Sequence, residues 1–479
     1  MLCRVVLVPG FLTLTAIASA AVFQGNGFKI GEVSPDSAVI WTRLTSRPEA
    51  NWRGVAFVKP DVPRAEAAGE FDWKIQIPPG RTLADMEGAL PGAPGSVRVT
   101  LRPDKGAAIA GQWVAVDPQR DFTAQVTVRS LQPATHYRVS VESRDAQGTA
   151  GPAIEGGFTT APLASSTGPV RFVVVTCGDF PRRDDAENGH KIYRSMLAFR
   201  PDFFVHTGDV EYFDKADPIA NSPELARFKF NRIFALPFQR TFHLQVPSYF
   251  ECDDHDTLKN DCWPGQHFGT LTFAEGSRIF REQTPAPSGQ LYRTVRWGRD
   301  VQCWLMEGRE FRSPNNAKDG PEKTIWGAEQ KAWFFRTVAE SDATFKILIS
   351  PTPIVGPDRG NKGDNHANAA FRTEGDEIRR FLGAQKNMIT VNGDRHWQYE
   401  SIHPETGVHE FGTGPSSDVH AGGFTPRPGD EAIQKYFRLL GGFLSIEVKR
   451  ENASAAAMTV RHHNVNGGVE HTTILRSGG

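Results

Sequence analysis

Val170-Arg171-Phe172-Val173-Val174-Val175-Thr176 runs without a break into Cys177-Gly178-Asp179. A run of mostly β-branched residues, with almost no polar alternation, reads as a strand buried on both faces. Similar runs recur at Phe203-Phe204-Val205, Cys303-Trp304-Leu305-Met306, Phe345 to Ile349 and Met388-Ile389-Thr390-Val391. Helical stretches separate them, notably Ile192 to Phe199 and Ala328 to Ala339, the second with Phe334, Phe335 and Val338 on a common apolar side. Strands alternating with helices predict an α/β domain over residues 168–479.

Upstream the pattern changes. From Val22 to about Pro162, short β-type segments alternate with turns: Ala38 to Trp41, Gln112 to Val116, Thr123 to Val128, Tyr137 to Val141. This spacing predicts an all-β sandwich of fibronectin-III or immunoglobulin type over residues 21–163, with extra length in the Gly/Pro-rich stretch 59–111. Leu131 to Tyr137 reads as a corner in which a tyrosine hydroxyl ties to nearby backbone, and Trp41 reads as core. The region is expected to position or shield rather than catalyse.

Composition narrows the function classes. The 479 residues carry 54 Lys plus Arg against 55 Asp plus Glu, with 39% hydrophobic residues. That balance excludes disordered, collagen-like and polytopic membrane classes. It also argues against a specific nucleic-acid reader, which needs a basic surplus or patch. Residues 1–20 read as a secretory signal: Arg4, an apolar stretch from Val5 to Ile17, then Ala18-Ser19-Ala20. No later stretch approaches the roughly 18 apolar residues of a membrane span, so none is expected after signal cleavage. The chain is expected to be secreted or periplasmic. Export permits disulfides, and with Cys3 removed Cys177, Cys252, Cys262 and Cys303 remain. A Cys252–Cys262 bridge closing a short loop is one option.

Several predicted strands end in a loop bearing Asp, His or Cys: Cys177-Gly178-Asp179, Gly208-Asp209-Val210-Glu211-Tyr212, Asp253-Asp254-His255-Asp256 and Gly393-Asp394-Arg395-His396. In open α/β sheets, ligands bind beyond the carboxyl ends of the strands. Carboxylates converging there repel one another, and a multivalent cation resolves the conflict by stabilising their ionised forms. The four loops therefore point to one metal site.

On these motifs the chain resembles the alkaline phosphatase D (PhoD-like) family of metallophosphoesterases, relatives of the purple acid phosphatases. Ser34 to Arg43 in the first region and Gly327-Ala328-Glu329-Gln330-Lys331-x-Trp333 in the second belong to the match, which spans nearly all the mature chain. The resemblance implies a metallophosphoesterase-type catalytic domain behind the β-sandwich. It implies two or more metal ions, one Fe3+ and the others Ca2+ or another divalent metal. Cys177, Asp209, Tyr212 and His396 would hold the iron, Asp209 bridging to a second metal on Asp254 and Asp394. Phenolate and thiolate suit a trivalent ion, and carboxylate oxygens suit calcium. His255 would protonate the leaving oxygen. Arg395, with Arg309 and Arg312, would receive phosphate oxygens.

The sequence departs from the family pattern in two places. Related enzymes begin with Asp-x-His where this chain has Cys177-Gly178-Asp179, which leaves the role of Asp179 open. Ile349-Ser350-Pro351-Thr352-Pro353 lacks an expected histidine, for which Asp364-Asn365-His366 offers a replacement. The implied reaction is hydrolysis of small phosphomonoesters or phosphodiesters. Metal-bound water, its pKa lowered from about 15.7 toward about 7, would attack phosphorus in line. A catalytically silent, metal-containing surface-binding module is the alternative. A metal-independent serine hydrolase finds no Gly-x-Ser-x-Gly elbow to support it.

Overall fold

The computed structural model of the protein describes residues 22–62 and 69–477. The expected signal, residues 1–20, lies outside them. Two large mixed sheets form the frame. In the nine-stranded sheet, Val170–Val175, Phe203–His206 and Ser248–Phe250 are parallel neighbours. In the seven-stranded sheet, Val301–Leu305, Phe345–Ser350, Met388–Asn392 and His409–Thr413 are parallel neighbours.

Side chains alternate across a strand, so each of these buried runs has two apolar faces to cover. Val170, Phe172, Val174, Phe203 and Val205 pack in one core with Val301, Cys303, Leu305, Ile347 and Val391 of the other sheet. The opposite face, with Val173, Val175, Phe204 and Phe250, packs in a core with residues of the helices Lys191–Phe199, Pro223–Phe234, Pro237–His243 and Phe273–Gln283. Gly327–Glu340 and Arg372–Gly383 cover the far side of the seven-stranded sheet through Trp304, Leu348 and Met388. The order is helices, sheet, sheet, helices. The continuous apolar runs are satisfied by a second sheet on one face and helices on the other. Burying each such side chain contributes roughly 1.5–3 kcal/mol, so the frame is set chiefly by these central strands.

The first region contains only strands and short 3-10 turns among its described residues. Its strands divide between two sheets. Phe28–Gly31, Ser37–Arg43 and Thr123–Arg129 extend the nine-stranded sheet, with Gly31 opposite Ser248 in a parallel pairing. A five-stranded sheet containing Gly95–Pro103, His136–Asp145 and Ile154–Thr159 completes the region. Ile30, Ile40, Val97, Val99, Val139 and Phe158 share a core with the second region's Phe172 and Tyr249. The sequence predicts two units; the structure runs one sheet through both. Gly95–Pro103 lies inside the stretch assigned to extra length and pairs along its whole course with His136–Asp145.

Local expectations hold at two aromatics. The backbone N–H of Gln132 donates to Tyr137 Oη at 2.8 Å, closing the corner. Trp41 is fully buried and its indole N–H donates to the Glu282 carbonyl at 2.7 Å. The four described cysteines are free thiols. Cys252 Sγ lies 3.1 Å from Thr257 Oγ1 and Cys262 Sγ 3.4 Å from the Asp254 carbonyl, so the Cys252–Cys262 bridge is not formed.

Candidate metal centre and active site

Four parallel strands deliver the site at their carboxyl ends. Val170–Val175 leads to Cys177, Phe203–His206 to Asp209 and Tyr212, and Ser248–Phe250 to Asp253, Asp254 and His255. Met388–Asn392, from the other sheet, leads to Asp394, Arg395 and His396. Three of these loops bend sharply. Cys177 (φ 51°), Asp209 (φ 58°) and Asp394 (φ 60°) all adopt left-handed backbone, which non-glycine residues seldom do. Such strain persists where the surroundings enforce it, commonly at functional sites. Gly208 (φ 102°) makes the approach possible, because a Cβ there would lie 2.5 Å from Asp253 Cβ.

The predicted metal ligands converge. Cys177, Asp209 and His396 each offer a ligand atom within 4.8 Å of the others; so do Asp209, Asp254 and His255, and Asp209, Asp253 and Asp394. Asp209 belongs to all three groups. Tyr212 Oη donates to Asp209 Oδ2 at 3.0 Å and lies 3.0 Å from His396 Nε2. Asp209 Oδ1, Asp253 Oδ2 and Asp254 Oδ1 are buried without a hydrogen-bond partner among the described residues. Buried acceptors are normally filled, so these oxygens are held ready for something other than the chain.

Burial, with Asp209 and Asp394 close by, pushes the Cys177 thiol up. Burial and the same Asp209 raise Tyr212, while burial with Asp254, Asp253 and Asp256 raises Asp209 against the pull of His255. Burial, with Arg182 and Arg359 nearby, lowers His396 well below the usual imidazole range, which favours the neutral, ligating form. A multivalent cation reverses the penalty on the acids by stabilising thiolate, phenolate and carboxylates together. Sulfur, phenol, imidazole and several carboxylates gathered around Asp209 form a donor set able to hold metal cations.

His255 Nδ1 lies 2.5 Å from Asp214 Oδ1. Burial acts to lower its pKa, but Asp214, Asp254 and Asp209 outweigh that and hold it up to about 10. The neighbouring carboxylates thus favour its protonated form, from which a proton can be given. Lys229 and Glu211, both fully buried, brace the loop from below, Lys229 Nζ donating to the Tyr212 carbonyl.

Two of the arginines are paired with carboxylates, and Arg312 with neutral acceptors. Arg395 pairs with Asp394 at 2.7 Å, Asp358 at 2.8 Å and Asp364 at 3.1 Å and is 1% exposed. Arg309 pairs with Asp253 at 2.6 Å, and Arg312 donates to Asn315 and the Asp364 carbonyl. Asp179 pairs with Arg182 at 3.2 Å and lies in none of the three donor groups. His366 Nε2 is bound to Glu374 at 2.9 Å and its ring packs on Trp326, so Asp364-Asn365-His366 does not bring that imidazole to the cluster.

The sequence did not single out Asp253, Asp214 or His420, which lie in or beside the cluster. Asp253 was in view within Asp253-Asp254-His255-Asp256. Asp214 carries no signal beyond its place two residues after Tyr212. His420 follows His409–Thr413, whose buried Glu410 broke the apolar pattern that marks the other strands.

The family model described as "PhoD-like phosphatase" matches residues 172–438, and that described as "PhoD-like phosphatase, N-terminal domain" matches residues 15–162. No curated protein matches the sequence. Among solved structures, one described as "Structure of PhoD" superposes with a TM-score of 0.70 at 16% identity, covering 98% of this chain and 92% of that one. A purple acid phosphatase from yellow lupin (Lupinus luteus) seeds superposes with a TM-score of 0.62 at 12% identity, covering 93% of this chain and 73% of that one. At these identities the superpositions show a shared fold. With its catalytic-region match covering more than half of the residues, the chain belongs to the PhoD-like phosphatase family.

Proposed function

We propose that this chain is an exported, metal-dependent phosphoric ester hydrolase acting on phosphomonoesters, phosphodiesters or both. The observation that carries the reading is Asp209, shared by three donor groups and flanked by buried carboxylate oxygens without partners. In this reading Cys177, Tyr212 and His396 hold Fe3+. Asp254 and Asp394, joined by Asp253, would hold Ca2+, and Asp209, common to the donor groups, would serve both sites. When bound, the cations acidify water and neutralise charge on the attacking and leaving oxygens.

The chain's own groups do the rest. His255, kept protonated by Asp214, gives its Nε2 proton to the leaving oxygen. Arg395, buried among Asp358, Asp364 and Asp394, orients the Asp394 carboxylate, and its Nε and Nη1, without hydrogen-bond partners among the described residues, receive phosphate oxygens. The all-β unit, residues 21–163, supports the site through the shared sheet, and residues 168–479 supply its chemistry.

Asp209→Asn tests the reading. The variant is expected to fold and to lose hydrolysis of p-nitrophenyl phosphate and of bis(p-nitrophenyl) phosphate. Turnover at the wild-type level would overturn the assignment. A protein with full metal occupancy and no turnover on either ester would instead be the silent binding module.

A further inference from the structure

His420 has no part in the reading above. It ends the 3-10 turn Asp418–His420, in the loop after His409–Thr413, a strand parallel to and beside Met388–Asn392. Ser416 Oγ donates to the Thr176 carbonyl at 2.8 Å, which pins this loop against the strand end that carries Cys177. The imidazole is 3% exposed. Its Nδ1 lies 3.1 Å from the Gly178 carbonyl oxygen. A carbonyl only accepts, so Nδ1 carries the proton and Nε2 keeps a lone pair. Nε2 is buried and has no hydrogen-bond partner among the described residues.

The neighbours distinguish this histidine from the others. His190, His206 and His243 also leave Nε2 unpartnered, but His190 Nδ1 is held by Gln239 at 2.7 Å and the other two rings pack on Phe204 and Phe250. The His420 ring centroid lies 4.2 Å from that of His396 and 5.0 Å from that of Tyr212, both members of the donor cluster. Its tautomer is fixed from behind by a backbone carbonyl, as is usual for imidazoles that serve a metal site.

We propose that His420 is a positioning residue of the metal centre. Its ring holds His396 and Tyr212 in their ligating arrangement, and its Nε2 accepts a hydrogen bond from a group that the bound cation brings with it. The proposal rests on the metal-dependent reading given above.

The test uses full-length protein stripped of metal and titrated with Co2+ alone, followed by absorption. Thiolate-to-cobalt charge transfer reports Cys177, and the visible bands report the coordination geometry. His420→Phe keeps the ring but removes the acceptor. It is expected to bind Co2+ about 10- to 100-fold more weakly than wild type, with altered visible bands. His420→Gln, whose amide oxygen replaces the lone pair, is expected to recover part of that loss. Wild-type affinity and spectrum in His420→Phe would overturn the proposal, as would an equal loss in His420→Gln. Far-UV circular dichroism checks folding, and should His420→Phe not fold, the smaller His420→Leu is read by the same criteria. Wild-type protein that binds no Co2+ overturns the metal reading itself, a result distinct from failure of the His420 assignment.

Discussion

Glu410 and Asp209 are equally buried, yet their surroundings are opposite in kind. Glu410 lies on His409–Thr413, one strand from the one that leads to Asp394. Its carboxylate accepts the N–H groups of Ile354 at 2.6 Å, Val355 at 2.9 Å and Gly356 at 2.8 Å, and the Tyr399 hydroxyl at 2.8 Å. Asp209 has Tyr212 Oη and the weak Cys177 thiol on one oxygen and no partner among the described residues on the other. Burial raises the pKa of both, but for Glu410 the backbone donors act against it, whereas for Asp209 further carboxylates add to it. A buried acid whose acceptor sites are filled by the chain is a structural strut. One left open beside its own kind is a receptor for positive charge.

Exchanging these acids separates the two roles. The largest effect is expected from Asp209→Asn, which should reduce ester hydrolysis to background. Its metal-free form should nevertheless unfold no lower than the metal-free wild type, because removing one of several like charges relieves repulsion. A melting scan of both metal-free proteins checks this, and a large drop in the variant would make Asp209 a strut as well.

Glu410→Ala should do the reverse. Four donors lose their acceptor, so a loss of about 3–5 kcal/mol in unfolding free energy is expected. Metal content per folded molecule, measured by elemental analysis, should stay at the wild-type level.

Metal addition comes next in size. A cation at about 100 times its dissociation constant should stabilise the wild type by about 2.7 kcal/mol. Denaturant midpoints with and without metal measure it. The same addition should leave Asp209→Asn nearly unchanged.

His255 predicts a pH dependence as well. His255 stands at about 10 in the folded chain against an ordinary value of 6.5. Folding therefore binds the proton more tightly, and the stability this adds is complete below about pH 6.5 and lost as pH rises toward about 10. Metal-free wild type should lose stability across that interval, and His255→Gln should show a shallower slope. Parallel slopes would mean that the Asp214–His255 pair does not carry the proton.

Much of this was legible in the sequence. Continuous β-branched runs such as Val170–Val175 have few alternatives to a buried strand, and loops such as Gly208-Asp209 announce themselves by following such runs. The second layer was not legible. Whether the inner face of Val170–Val175 meets helices or another sheet depends on distant partners such as Ile347 and Val391. Gly95–Pro103 was hidden by its Gly/Pro-rich surroundings, although its own alternation of Val97, Val99 and Leu101 is regular. At the site, residue type revealed the ligand candidates, but Asp214 and His420 matter through what they touch. The three carboxylates paired with Arg395 were likewise not visible in its residue type.

The pairing of Gly31 with Ser248 has an engineering consequence. Ser248–Phe250 lies between Phe203–His206 and Phe28–Gly31, and it leads into the loop of Asp253, Asp254 and His255. Trimming the chain to its phosphatase half would leave that strand with a raw margin, open to self-association. Grafting the front segment of another protein would succeed only if the graft offers a matching hairpin there. The two halves are thus woven through one sheet rather than strung like beads.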